Sequence, residues 1–127
     1  MIKLGKENIL DDLLITETFQ VYPQDLPDIM TYLEAEFAVA ALGDGWRIPT
    51  LAELRLMCKY KQDIHNFYTG YTYSSGYPYW YWSSTKGNND TTLFIVRLLN
   101  GDVTWIPKDY GRYVCRPVRS VDNEYHQ

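Results

Sequence analysis

Between Tyr68 and Trp82, eight of fifteen residues are aromatic: Tyr68, Tyr71, Tyr73, Tyr77, Tyr79, Trp80, Tyr81 and Trp82. Serine, glycine, threonine and proline fill most of the remainder. That mixture suits recognition. Tyrosine offers a large amphipathic area with two torsions to freeze, while Ser and Gly give adaptable backbone and hydrogen bonding. Aromatic faces stack on the C–H faces of sugars and also anchor protein partners. In an extended chain, alternation sends Tyr77, Tyr79 and Tyr81 to one side and Trp80 and Trp82 to the other. We read the two tryptophans as core and Tyr68, Tyr71, Tyr73, Tyr77, Tyr79 and Tyr81 as candidate ligand contacts. A competing reading makes the tyrosines the core of a loop-heavy segment.

Catalytic groups are scarce by comparison. His65 and His126 are the two histidines, and no H-x-x-H or H-E-x-x-H spacing exists. Ser74, Ser75, Ser83 and Ser84 stand outside any G-x-S-x-G context. Gly87-Asn88-Asn89-Asp90 offers oxygens to calcium but lacks the alternating carboxylates of an EF-hand loop. The expectation is a protein without a catalytic set, cofactor or metal. Cys58 and Cys115 fit neither a zinc motif nor a C-x-x-C pair. They are either a disulfide, which implies an oxidising compartment, or two buried free thiols.

The formal charge is −4, which argues against nucleic acid, whose binding domains are usually basic. The balance is uneven. Residues 1–45 carry nine acids against Lys3 and Lys6, whereas 97–119 carry Arg97, Lys108, Arg112, Arg116 and Arg119 against Asp102 and Asp109. No run approaches the ~18 apolar residues of a spanning helix, so no membrane insertion is expected. The N-terminus lacks a signal-peptide core, so the chain as given reads as cytoplasmic.

These groups need a scaffold, and 127 residues suffice for one domain with a two-layer core. Two capping boxes mark helices: Thr31-Tyr32-Leu33-Glu34 and, directly after Pro49, Thr50-Leu51-Ala52-Glu53. Met30, Leu33, Phe37 and Ala41 give the first helix an apolar stripe, and Gly43 and Gly45 end it. Leu51, Leu54 and Cys58, with Met57 beside them, give the second its face. A strand is expected near Phe19 to Tyr22 and another at about Tyr79 to Ser83. Leu93 to Leu99 is a dense apolar run, Asn100-Gly101 suggests a type I′ hairpin, and Val103 to Ile106 returns. Tyr113 to Val118 reads as a last strand, with Tyr113 and Cys115 facing opposite to Val114, Arg116 and Val118. The class is α+β.

Three segments carry a family resemblance. They are Gly45-Trp46-Arg47-Ile48-Pro49-Thr50 with Leu51-Ala52-Glu53-Leu54, then Tyr81-Trp82-Ser83-Ser84-Thr85, then Tyr113-Val114-Cys115-Arg116-Pro117-Val118-Arg119. Over about residues 19–119 the chain resembles the bacterial Lcl-C family, the C-terminal domain type of collagen-like adhesins in the C-type-lectin-like superfamily. Formylglycine-generating enzymes share a related element. The resemblance implies one C-type-lectin-like domain over 1–127. Two helices would flank a small twisted antiparallel sheet, and a long irregular loop region would carry the ligand. It implies structural roles for Trp46, Arg47, Pro49, Thr50, Glu53, Trp82, Ser83, Ser84 and Arg116: Trp46 in the core, Arg47 tying down backbone or carboxylates, Pro49-Thr50 starting a helix. It also suggests an exported protein. The E-P-N and W-N-D triplets of calcium-dependent lectins are absent, and the oxidase's active cysteine pair is not matched, because Cys115 is alone in the C-terminal region. The leading expectation is a non-catalytic adhesion module for a glycan or protein ligand. A formylglycine-generating-type oxidase and an oligomerisation domain are the alternatives.

Overall fold

The computed structural model describes residues 3–4, 8–10, 13–14, 19–64 and 80–121. Their order is β1 (Lys3–Leu4), β2 (Asn8–Leu10), β3 (Leu13–Leu14), β4 (Phe19–Val21), α1 (Tyr32–Leu42), α2 (Leu51–Lys59), β5 (Trp80–Lys86), β6 (Thr92–Arg97), β7 (Asp102–Pro107) and β8 (Val118–Ser120). The class is α+β. An antiparallel meander β5-β6-β7 and a second antiparallel sheet β1-β4-β8 form the two larger sheets, with β2 and β3 paired separately.

β6 is the centre of the molecule, and its sequence explains why. Thr92-Leu93-Phe94-Ile95-Val96-Arg97 does not alternate apolar with polar, as suits a strand covered on both faces. Leu93 and Ile95 join Trp82 in one buried cluster, which α1 covers with Ala35 and Val39. Val96 joins Tyr81 in a second cluster with Leu54, Leu56 and Met57 of α2. The cross-strand partners Tyr81↔Val96 and Trp82↔Ile95 keep the two faces distinct.

Both capping boxes form. Thr31 Oγ accepts from the Glu34 amide while Thr31 N donates to Glu34, and Thr50 and Glu53 repeat the arrangement. The buried face of α1 differs from the expected stripe. Ala35 and Val39 face the core, while Leu33 and Phe37 are 61% and 68% exposed. Residues 37–42 are all apolar, so periodicity does not select a face. Two bulky rings, Trp82 and Tyr113, already occupy the space beneath the helix, and only its small side chains fit there.

The β6–β7 hairpin sits where expected but turns differently. Arg97 pairs with Asp102, so Leu98–Gly101 form a four-residue loop. Gly101 alone in it has a positive φ, +84°, whereas a type I′ turn needs two such residues. Asn100 instead accepts from the Asp102 amide at 3.0 Å through its side chain. The expected strand from Tyr113 to Val118 is mostly irregular backbone, tied by single bridges Met30↔Tyr113 and Tyr81↔Val114. Its two faces nonetheless divide as expected, Tyr113 and Cys115 into one cluster and Val114 and Val118 into the other.

Candidate recognition site

The described residues on either side of the Tyr-rich segment meet at one end of the β5-β6-β7 sheet. Tyr68, Tyr71, Tyr73, Tyr77 and Tyr79 lie outside the described residues, but both flanks are inside them. On the incoming side, Lys61 at the end of α2 donates to Leu98 O at 3.2 Å and Leu99 O at 2.7 Å. The Cys58 thiol lies 3.5 Å from Leu98 O, and Ile64 is buried in the core. On the outgoing side, Trp80 opens β5 opposite Arg97, whose guanidinium lies 5.2 Å over the Trp80 ring. Both flanks therefore meet the β6–β7 turn, where Leu99 is exposed.

Tyr81 corrects the sequence reading. It is 1% exposed, and its hydroxyl donates to Asp25 at 2.6 Å. Tyr81 is a core residue, not a ligand contact. The alternation expected of Tyr79, Trp80, Tyr81 and Trp82 assumes one solvent face, but α1 and α2 cover both faces of β5 here. Arg116 completes the group. It is buried, donates through Nε to Tyr22 O at 2.7 Å and through Nη1 to Asp25 at 3.0 Å. Sequence reasoning misses Asp25, because it lies between two prolines in an irregular stretch and no local pattern marks it.

The other motif residues hold backbone. Arg47 makes a two-pronged contact with Glu53, both bonds 2.8 Å, and reaches Ser120 Oγ at 3.0 Å. Glu53 also accepts from Thr50 N. Pro49 O accepts from Ser84 N at 2.8 Å, and Ser83 Oγ donates to Phe94 O at 2.7 Å. Trp82 is buried, donates from Nε1 to Met30 O at 2.8 Å and meets Tyr32 and Tyr113 edge-on. Trp46 departs from its expected place in the core. It is half-buried, with the Tyr22 ring edge-on at 4.9 Å and the Arg119 guanidinium 4.6 Å from its centroid. Arg119 in turn holds Gln20, so this stack staples the β1-β4-β8 sheet.

Cys58 and Cys115 are free thiols, which corrects the disulfide alternative. Cys58 packs against the Tyr81–Val96 cluster and Cys115 belongs to the Trp82–Ile95 cluster, so the sheet separates them. Burial, with Asp25 adding to it, pushes the Cys115 thiol up to about 12, which suppresses the thiolate that nucleophilic or metal chemistry needs. Among the described residues no group of three or more His, Cys, Asp or Glu could hold a metal ion. The Gly87–Asp90 turn uses its oxygens internally: Asn88 accepts from Thr92 Oγ, Asn89 from Thr91, and Asp90 pairs with Lys86.

A second surface feature has no counterpart in the sequence reading. A groove of about 420 Å³ is lined by Thr31, Tyr32, Leu33, Glu36, Lys108 and Asp109. Tyr32, half-buried in its wall, is raised to about 12, first by burial and then by Glu36 and Cys115. Its hydroxyl is therefore a proton donor at any physiological pH.

No family model and no curated protein matches the chain. Among the described residues no helix is long and apolar enough to cross a membrane.

Proposed function

We propose that this protein is a non-catalytic recognition module that binds a glycan or protein surface through Tyr68, Tyr71, Tyr73, Tyr77 and Tyr79. The observation that carries this reading is the anchoring of both flanks of the Tyr-rich segment to one turn of a rigid sheet. A rigid frame with a variable connecting segment is a common way for proteins to present binding residues. Preorganised flanks also reduce the ordering cost of binding. Trp80, half-buried beneath Arg97, is the first described aromatic residue after the segment. Two ion pairs, Arg47–Glu53 and Arg116–Asp25, tie parts of the described frame together.

On this reading the α+β frame is a C-type-lectin-like domain of the Lcl-C kind, and its sheet-and-loop division of labour is that of an adhesion domain. The oxidase alternative is disfavoured by the two thiols lying in separate core clusters.

The test is a glycan array and a pulldown with the wild type and with Tyr71, Tyr73, Tyr77 and Tyr79 changed to Ala together. Loss of binding with an unchanged melting temperature supports the reading. Binding that survives all four changes overturns it.

A further inference from the structure

β7 is an outer strand of the β5-β6-β7 meander. The opposite edge of that sheet is closed: Trp82 N donates to Val114 O at 3.0 Å, and Val114 N to Trp80 O at 2.9 Å. β8, an outer strand of the other large sheet, is closed by Arg47, which exchanges bonds of 2.8 and 2.9 Å with Val118. On β7 the register fixes which groups point outward. Lys108 N donates to Thr91 O at 2.9 Å, and bonded and non-bonded pairs alternate along an antiparallel ladder. Ile106 and Thr104 therefore bond to Leu93 and Ile95 of β6, whereas Val103, Trp105 and Pro107 turn their backbone groups away from it. Pro107 has no N–H, and its oxygen accepts from Tyr110 N at 3.1 Å. Val103 and Trp105 remain, and among the described residues nothing bonds their outward N–H and C=O groups.

An open edge is a template for another strand. Asp102, Thr104, Trp105 and Pro107 are all exposed, so the edge is accessible, and Val103 to Ile106 are all good strand formers. The edge is also complementary to itself. In an antiparallel pair of two copies centred on Thr104, Val103 of one copy lies opposite Trp105 of the other. Each such pair exchanges two backbone bonds, and the two-fold axis repeats it. Both free N–H groups and both free C=O groups of each copy are then used. Centring the pair on Val103 or on Trp105 wastes donors, because it brings in Gly101, whose N–H is committed to Arg97 O, or Pro107, which has none. The side chains agree with the same register. Each Trp105 ring, 45% exposed, lies against Val103 of the other copy. Asp102 and Lys108 are the charged residues of 102–108, at opposite ends, and among the described residues neither takes part in an ion pair. Antiparallel pairing sets each Asp102 diagonal to Lys108 of the other copy, ~7–8 Å away and within reach of a long side chain.

We propose that β7 pairs with β7 of a second copy, antiparallel about Thr104, and joins the two meanders into one continuous sheet. The pairing goes beyond the recognition reading and does not depend on it. The bonded stretch is short, which suits a weak dimer that forms as concentration rises.

Sedimentation velocity of the full chain over a range of concentrations tests this, with circular dichroism to confirm folding. The wild type is expected to approach twice the chain mass. T104K, at a position already exposed, sets two ammonium groups against each other at the axis and is expected to stay folded and monomeric. Cross-linking reads the register, in a Cys58→Ser background so that the half-buried native thiol does not compete. The two Thr104 positions form a non-bonded pair with Cα atoms ~4.5 Å apart, inside the span of a disulfide. T104C is therefore expected to give a disulfide-linked dimer on mild oxidation. D102C lies roughly 13 Å along the strand from its own counterpart and is expected to stay unlinked. A wild type that is monomeric at every concentration overturns the proposal and leaves the edge to a strand of another protein. A dimer that T104K leaves intact, a T104C that stays unlinked, or a D102C that links as readily as T104C overturns it as well.

Discussion

The Tyr81 hydroxyl donates to Asp25 across 56 residues of sequence, at 2.6 Å, while Arg116 holds the other carboxylate oxygen at 3.0 Å. The carboxylate thus joins β5, the stretch before α1 and the C-terminal stretch at a single buried point. Two charges out of water are costly, and the pair is tolerable because its remaining lone pairs and N–H groups find Tyr81 and Tyr22 O.

Breaking this point is expected to be more damaging than trimming it. Tyr81→Phe removes one hydrogen bond and should lower the unfolding free energy by about 1–3 kcal/mol. Asp25→Ala strands the buried Arg116 and should lower it by about 3–5 kcal/mol. Urea unfolding measures both. Equal losses would mean that the ion pair and the hydroxyl contribute alike. Neither change should abolish ligand binding by a protein that remains folded.

The Arg47–Glu53 contact is expected to show coupling. It is two-pronged, and Glu53 also closes the α2 capping box. Arg47→Lys keeps the charge but loses the fork, and should cost about 1 kcal/mol. A double-mutant cycle with Glu53→Gln should give an interaction energy of about 0.5–3 kcal/mol. Additive losses would show that the fork contributes nothing beyond its separate halves.

The two thiols should differ in reactivity. Cys58 is half-buried and Cys115 fully buried. With a pKa of about 12, roughly one Cys115 thiol in ten thousand is ionised at pH 8. Native alkylation followed by mass spectrometry should label Cys58 first and Cys115 only on unfolding, with two reactive thiols per denatured chain. A single step that labels both together would contradict the burial of Cys115.

Stability should fall at both ends of the pH scale, for opposite reasons. Glu34 is held below the usual carboxylate range, chiefly by the Thr31 amide and also by Arg112. The folded state therefore prefers the ionised form. Its contribution is present above the ordinary value of 4.5 and is lost as the pH falls through the lowered one. Tyr32 behaves the other way. Its folded value is raised from 10.0 to about 12, so its contribution is intact below pH 10 and is lost as the pH rises toward 12. Thermal melts of Glu34→Gln should show a flatter acid limb, and melts of Tyr32→Phe a flatter alkaline limb. Unchanged slopes would remove these groups from the account.

How much of this was legible in advance follows from the range of each interaction. The two capping boxes, the hairpin position and the alternation of Tyr113, Val114 and Cys115 are local: their partners lie within a few residues, so order along the chain contains them. The Asn100-Gly101 signal locates the turn but not its type, because Arg97 pairs with Asp102 rather than with a nearer residue. The recognition segment is legible as composition alone, and five of its six proposed tyrosines lie beyond the described residues.

The sequence by itself determined the α+β class, the two helix starts and the tryptophan at the centre of the core, since these rest on local hydrogen bonding and on a large apolar ring avoiding water. The tertiary structure alone decided three things. It turned Leu33 and Phe37 outward, because Trp82 and Tyr113 leave room for only alanine and valine beneath α1. It buried Tyr81, because helices cover both faces of its strand. It paired Asp25 with Arg116, 91 residues apart. In each case the deciding partner comes from a distant part of the chain, and a periodicity read along one segment contains no record of what will be packed against it.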